Sequence, residues 1–60
     1  MESGFIARAV YHDQPPFETM SATWSIYRWC DAKTELREVH KWAREAYTAM
    51  LIRVEIHPEG

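Results

Sequence analysis

The 60-residue chain has a single cysteine, no apolar run of membrane-spanning length and no excess of positive charge. One cysteine, Cys30, cannot form a disulfide within the chain, which excludes a disulfide scaffold and favours a cytoplasmic setting. A membrane span needs roughly 18 consecutive apolar residues, so we expect no membrane association. The first ten residues carry an acid at position 2 and no basic stretch, so we also expect no secretory signal.

Motifs for catalysis and metal binding are absent as well. No two cysteines or histidines have the spacing of a metal site. A nucleophilic cysteine needs a base beside it, and the sequence does not place a histidine next to Cys30. We therefore expect no enzymatic activity, no cofactor and no metal.

The charge balance is acidic, with seven basic and nine acidic residues and a formal net charge of -2. Nucleic-acid binding usually leaves a basic footprint, so direct binding to nucleic acid is the less favoured expectation. The length allows one domain over residues 1–60. A chain this short buries only about 60% of its unfolded surface, and its three Trp and three Tyr would fill a small core.

Alternating apolar residues predict three strands. Residues 4–11 form the first, and residues 20–29 form the second on their β-branched and aromatic content. Residues 50–57 form the third, with apolar and charged side chains on opposite faces. A loop is expected over residues 12–19, which contain two consecutive prolines.

Residues 32–47 predict an amphipathic helix. Asp31 is a suitable N-cap, and the helix interior contains neither glycine nor proline. Its apolar stripe consists of Ala32, Leu36, Val39, Ala43, Ala46 and Tyr47.

These elements predict an α+β fold of order β-β-α-β, a three-stranded antiparallel sheet of order 2-1-3 with the helix on one face. The alternative is β-α-α-β, since apolar residues also recur at helical spacing over residues 16–28. The predicted core comprises Phe5, Ala7, Trp24, Ile26, Leu36, Val39, Ala43, Ile52, Val54 and Ile56.

The predicted sheet leaves one face without a helix. That face would hold Ile6, Arg8, Val10, Tyr27, Trp29, Arg53, Glu55 and His57. Apolar and aromatic groups rimmed by charge are typical of protein-binding surfaces, where Trp, Tyr and Arg are enriched.

The predicted helix carries two charged flanks. The basic flank consists of Lys33, Arg37, Lys41 and Arg44, and the acidic flank consists of Glu35, Glu38 and Glu45 beside Trp42. The candidate partner-binding residues are therefore Tyr27, Trp29, Arg53 and Glu55 on the sheet, with Glu35, Glu38, Trp42 and Glu45 on the helix.

The hypothesis for function is a small non-enzymatic module that binds a larger protein or nucleoprotein complex. Its size, acidic charge and lack of chemistry suit a phage or mobile-element inhibitor of the anti-CRISPR class, which blocks a functional or nucleic-acid-binding surface. The alternative is a small nucleic-acid-binding or antitoxin-like regulator that uses the basic flank. The third hypothesis is a homo-oligomeric structural subunit, a dimer or larger, that buries Tyr27 or Trp29 between copies.

Overall fold

Three strands and one helix make up the computed structural model, which describes residues 3–12 and 23–58. In chain order they are β1 (Gly4–His12), β2 (Thr23–Asp31), α1 (Leu36–Ala46) and β3 (Met50–Pro58). The strands form an antiparallel sheet of order β2-β1-β3. The predicted α+β class, element order and strand order are confirmed. The β-α-α-β alternative is wrong, because residues 23–28 belong to a strand.

The turn between β2 and α1 is longer than the sequence pattern predicted. Asp31 does not cap the helix; its carboxylate accepts hydrogen bonds from the Lys33 amide at 2.9 Å and the Thr34 hydroxyl at 3.2 Å. An aspartate that bonds the amide two residues on stabilises a turn. The helix therefore begins at Leu36, with Glu35 at the N-cap position.

The predicted first loop is only partly within the described residues. His12 belongs to β1, while residues 13–22 lie outside them, as do the first three residues of the predicted second strand.

Small side chains let α1 approach the sheet closely. Ala7 and Ala9 on β1 and Val39 and Ala43 on α1 are all fully buried. Two groups of buried residues result, Ala7 with Cys30 and Val39, and Ala9 with Tyr11 and Ala43. Trp42 and Val54 pack against both groups, so the two groups are linked.

An aromatic cluster fastens the C-terminal end of α1 to the sheet. The hydroxyl of Tyr11, which is fully buried, donates a hydrogen bond of 2.6 Å to the Ala43 carbonyl. The Tyr11 ring stacks on the Trp24 ring with 4.7 Å between their centroids, and the Tyr47 ring packs edge-on against both. Burial, with a contribution from the neighbouring Tyr47, raises the pKa of Tyr11 above its ordinary value.

Three predicted core residues are exposed: Leu36 (57%), Ile52 (44%) and Ile56 (38%). The helix of 11 residues is about 16 Å long, whereas a strand of nine residues extends about 30 Å. One short helix therefore cannot cover the whole sheet. In addition, the pairing of β1 with β3 is shifted between Val10 and Tyr11, and Ile52 lies at that irregularity.

Candidate partner-binding surface

The side of the sheet that faces away from α1 gathers all eight residues predicted for it. Side chains alternate along a strand, and directly paired residues share a side. In the register of the sheet, Ile6 lies between Trp29 and His57, Arg8 between Tyr27 and Glu55, and Val10 between Ser25 and Arg53. We call these nine residues the open face.

A single carboxylate organises the charges of the open face. Glu55 accepts a hydrogen bond of 2.8 Å from Nε of Arg53, and its other oxygen lies 2.8 Å from Nε2 of His57. Nη1 of Arg8 reaches the same carboxylate at 3.4 Å, and Nε of Arg8 donates to the Ser25 hydroxyl at 2.9 Å. We call Arg8, Arg53, Glu55 and His57 the Glu55 cluster. It joins β1 to β3, and Ser25 extends it to β2.

Three basic neighbours keep Glu55 ionised. Hydrogen bonds from His57 and then Arg53, with the positive charges of Arg8 and Arg53, lower the pKa of Glu55 to about 2, although desolvation acts in the opposite direction. Two guanidinium groups and one carboxylate then leave a formal charge of +1 with His57 neutral. The open face is therefore positive on a chain whose net charge is -2.

Two aromatic side chains stand beside the Glu55 cluster. Tyr27 is 63% exposed and Trp29 is 47% exposed, two positions apart on the same side of β2. The Arg8 guanidinium lies 5.7 Å from the centre of the Tyr27 ring. The indole of Trp29 lies over Gly4, where a Cβ atom would come within 2.7 Å of Cζ2. Both rings therefore rest on neighbours within the sheet.

Accessibility varies across the open face. Val10 is only 3% exposed although it belongs to this side, so it offers almost no contact area. The side chains of Arg53 and His57 are more exposed, at 55% and 56%, than those of Arg8 and Glu55, at 35% and 23%. The accessible part of the open face is thus Tyr27 and Trp29 with the outer members of the Glu55 cluster.

The remaining predicted partner-binding residues lie on the opposite side of the sheet. Glu38 and Glu45 are exposed on α1, and Glu35 precedes the helix and pairs with Arg37 at 2.7 Å. Trp42 is only half-buried; its ring packs against both groups of core residues, and Arg28 lies 5.7 Å from its centre. The structure therefore separates the predicted binding residues into two sets that cannot contact one flat partner surface together.

The basic flank is exposed but is not one helical row. Arg37, Lys41 and Arg44 lie on α1, whereas Lys33 lies in the preceding turn because the helix begins later than predicted. Arg37 is already paired with Glu35. The role of this flank in nucleic-acid binding stays a prediction.

Sequence reasoning missed Ser25 and Gly4 at this site. Ser25 holds Arg8, and Gly4 provides the space in which Trp29 lies. Both roles depend on the register of β1 against β2, which is the signal that would have revealed them.

Residues 3–12 and 23–58 show no metal site and no membrane-spanning helix. There, no group of three or more His, Cys, Asp or Glu side chains could hold a metal ion. Cys30 is a free thiol buried in the core at 3% exposure. None of the helices in this part of the chain is long and apolar enough to cross a membrane.

Comparison with protein families, with curated proteins and with solved structures gives no match to this chain.

Proposed function

We propose that the protein is a non-enzymatic binding module that contacts a larger protein or nucleoprotein complex through its open face. The observation that carries this proposal is the pair of exposed rings, Tyr27 and Trp29, beside two arginines on one side of a sheet. Binding hot spots are enriched in these three residue types. A sheet also holds side chains with little further loss of conformational freedom on binding.

The Glu55 cluster supports the proposal because it orients the arginines in advance. Glu55 binds Arg53 through Nε, which fixes the plane of a side chain that is 55% exposed. A guanidinium has five N–H donors, so Arg53 retains donors that can reach a partner. The rings would supply apolar contact area, and the arginines would supply directed hydrogen bonds at its edge.

An inhibitory mode of action is the finer form of the proposal. A small chain without recognised catalytic motifs can act by occupying a functional surface, as inhibitors of the phage and anti-CRISPR classes do, and a cytoplasmic location accords with its single cysteine. Mimicry of nucleic acid is a different mode, because the open face is positive: it would use the carboxylates Glu35, Glu38 and Glu45 on the helix side instead of the open face.

The test is affinity capture from a lysate of the host, with bound proteins quantified by mass spectrometry at low and high salt. We expect one complex to be retained at high salt and to be lost in Tyr27→Ala and Trp29→Ala. The matched control is Leu36→Ala, which removes a side chain of similar exposure from the helix side and should retain the complex.

Two results would contradict the proposal. Capture that survives both open-face substitutions but is lost when Glu35, Glu38 and Glu45 are changed to Lys would assign binding to the helix side. Recovery of nucleic acid alone, lost as salt rises, would support a regulator that uses the basic flank.

A further inference from the structure

The two outer strands of the sheet differ in how their free edges are protected. Within the described residues, neither β2 nor β3 pairs with a further strand on its outer side. The pairing of β3 contains an irregularity, its last residue is Pro58, and it carries three members of the Glu55 cluster. Bulges, prolines and charges are the usual means of keeping an edge from pairing. β3 is therefore a protected edge.

β2 has fewer of these devices: it has no bulge and no proline, and its only charged residues are Arg28 and Asp31. Its nine residues contain no proline, glycine or lysine, and they pair with β1 without a register shift. Long, regular edge strands with few charges are templates for pairing with another strand. The outer edge of β2 is therefore the position at which the sheet can be extended.

The register identifies the backbone groups on that edge. The Ala32 amide donates to the Ser3 carbonyl at 3.1 Å, which continues the ladder between β1 and β2 by one pair. Along an antiparallel strand, residues that bond one neighbour alternate with residues that point away from it. The even-numbered residues of β2 therefore bond β1. The residues whose amide and carbonyl groups point outward are Thr23, Ser25, Tyr27, Trp29 and Asp31.

We infer that a second copy of this chain pairs with β2 in antiparallel orientation about a twofold axis at Tyr27. The two sheets would then form one continuous sheet of six strands. In this register all nine residues of β2 are paired, and every outward-pointing residue meets another: Thr23 meets Asp31 of the second copy, Ser25 meets Trp29, and Tyr27 meets Tyr27.

The positions of the two charges on β2 favour this register for a second copy of the chain. Asp31 faces Thr23, and Arg28 faces Ile26, so no like charges are opposed. Moving the axis to Arg28 would oppose two arginines, and moving it to Ile26 would leave the last two residues of β2 unpaired. β2 can therefore pair with a second copy of itself over its full length without opposing like charges.

This inference does not rest on the proposed function. Pairing uses the backbone edge of β2, whereas partner binding uses side chains of the open face. Pairing would place the two open faces side by side on one extended surface. A three-stranded sheet in a 60-residue chain is marginally stable alone, and association would stabilise it by mass action.

The first experiment measures the mass of the protein by sedimentation across a concentration series. We expect wild type to reach twice the 7.1 kDa chain mass, and Tyr27→Glu and Tyr27→Lys to stay monomeric because each opposes like charges at the axis. An equimolar mixture of the two variants should restore the dimer, since opposite charges then face each other. Leu36→Glu and Leu36→Lys are the controls, and we expect both to dimerise as wild type does.

The second experiment separates edge pairing from contact through the ring. A synthetic chain that is N-methylated at Tyr27 keeps the side chain but loses the outward N–H. We expect its dimer Kd to rise roughly tenfold or more, because two symmetry-related hydrogen bonds are lost.

Three outcomes would overturn the inference: a wild-type protein that is monomeric throughout the series, a glutamate–lysine mixture that does not dimerise, or an N-methylated chain that dimerises as tightly as wild type. Circular dichroism of each variant confirms that the sheet is folded. Tyr27 is 63% exposed, so the substitutions at this position should leave the fold intact.

Discussion

The side of the sheet under α1 and the open face are built from opposite kinds of side chain. Under the helix, Ala7 and Ala9 are small, apolar and fully buried. On the open face, Glu55 and its basic neighbours are partly exposed. Burial of apolar surface is the main source of stability, whereas exposed ion pairs contribute about 0–1 kcal/mol. The helix side therefore holds the fold together, and the open face is free to serve recognition.

The largest expected effect is on the helix side. Ala9→Leu adds three carbon atoms to a fully buried side chain that packs with Tyr11 and Ala43, and overpacking of this kind costs about 1–3 kcal/mol. That is a large share of the roughly 3–5 kcal/mol that so small a core supplies. Urea unfolding should show a much lower midpoint. Ala46→Leu makes the same change at an exposed helix position and should leave the urea midpoint nearly unchanged. If both variants lower the midpoint equally, burial under the helix is not what makes Ala9 sensitive.

Gly4 should be an exception to the rule that stability depends on the helix side of the sheet. Although it lies on the open side, a Cβ atom there would meet the Cys30 carbonyl and the Trp29 ring. The carbonyl is backbone and cannot move without disturbing the pairing of β1 with β2. We expect Gly4→Ala to lower the free energy of unfolding by about 1–2 kcal/mol. Ser3→Ala is the neighbouring control, and thermal melts that match for the two variants would show that Gly4 is not constrained.

The membership of the open face could be predicted because a strand has a period of two. With residues 4–11 and 50–57 predicted as strands, alternation places Arg53, Glu55 and His57 on one face of their strand. Arg8, the only charge of the first strand, marks the outward face of the other, so both sets are predicted on the side away from the helix. The strand order followed from the short connection of the first two strands and the helical return to the third. Local patterns therefore suffice for the topology of so small a sheet.

Three features could not be predicted, because each depends on distances between elements. The start of α1 depends on the Asp31 carboxylate. From the local sequence alone, this carboxylate could equally cap a helix or stabilise a turn. The exposure of Leu36 and Ile56 depends on how far the helix reaches along the sheet. The convergence of Arg8 and His57 on Glu55 depends on the register of β1 against β3.

A smaller effect is expected from the hydroxyl of Tyr11. Tyr11→Phe removes one oxygen atom from the helix side and leaves the Ala43 carbonyl without the bond that fastens α1 to β1. A hydrogen bond of this kind contributes about 0.5–1.5 kcal/mol. Tyr27→Phe removes the same atom from an exposed ring on the open face and should have almost no effect. If chemical denaturation finds the two variants equally stable, the hydroxyl of Tyr11 does not contribute to the fold.

The smallest expected effect, and the one that depends on pH, concerns Glu55. Its pKa is about 2 in the folded protein against 4.5 for a free glutamate, so the folded state favours the ionised carboxylate. The resulting stabilisation is complete above pH 4.5 and is lost as pH falls toward 2. Glu55→Gln should therefore melt slightly below wild type at neutral pH, and the difference should vanish in acid.

An NMR titration of the Glu55 carboxyl carbon directly measures the lowered pKa that causes this pH dependence. A midpoint near 2 would show that Arg8, Arg53 and His57 hold the carboxylate as the structure indicates, and a midpoint near 4.5 would show that they do not. Because the Glu55 cluster is partly exposed, its main consequence is orientation rather than stability. On the proposed function, loss of the Glu55 charge should weaken partner binding while it changes the melting temperature only slightly, since the arginines would lose the group that holds them in place.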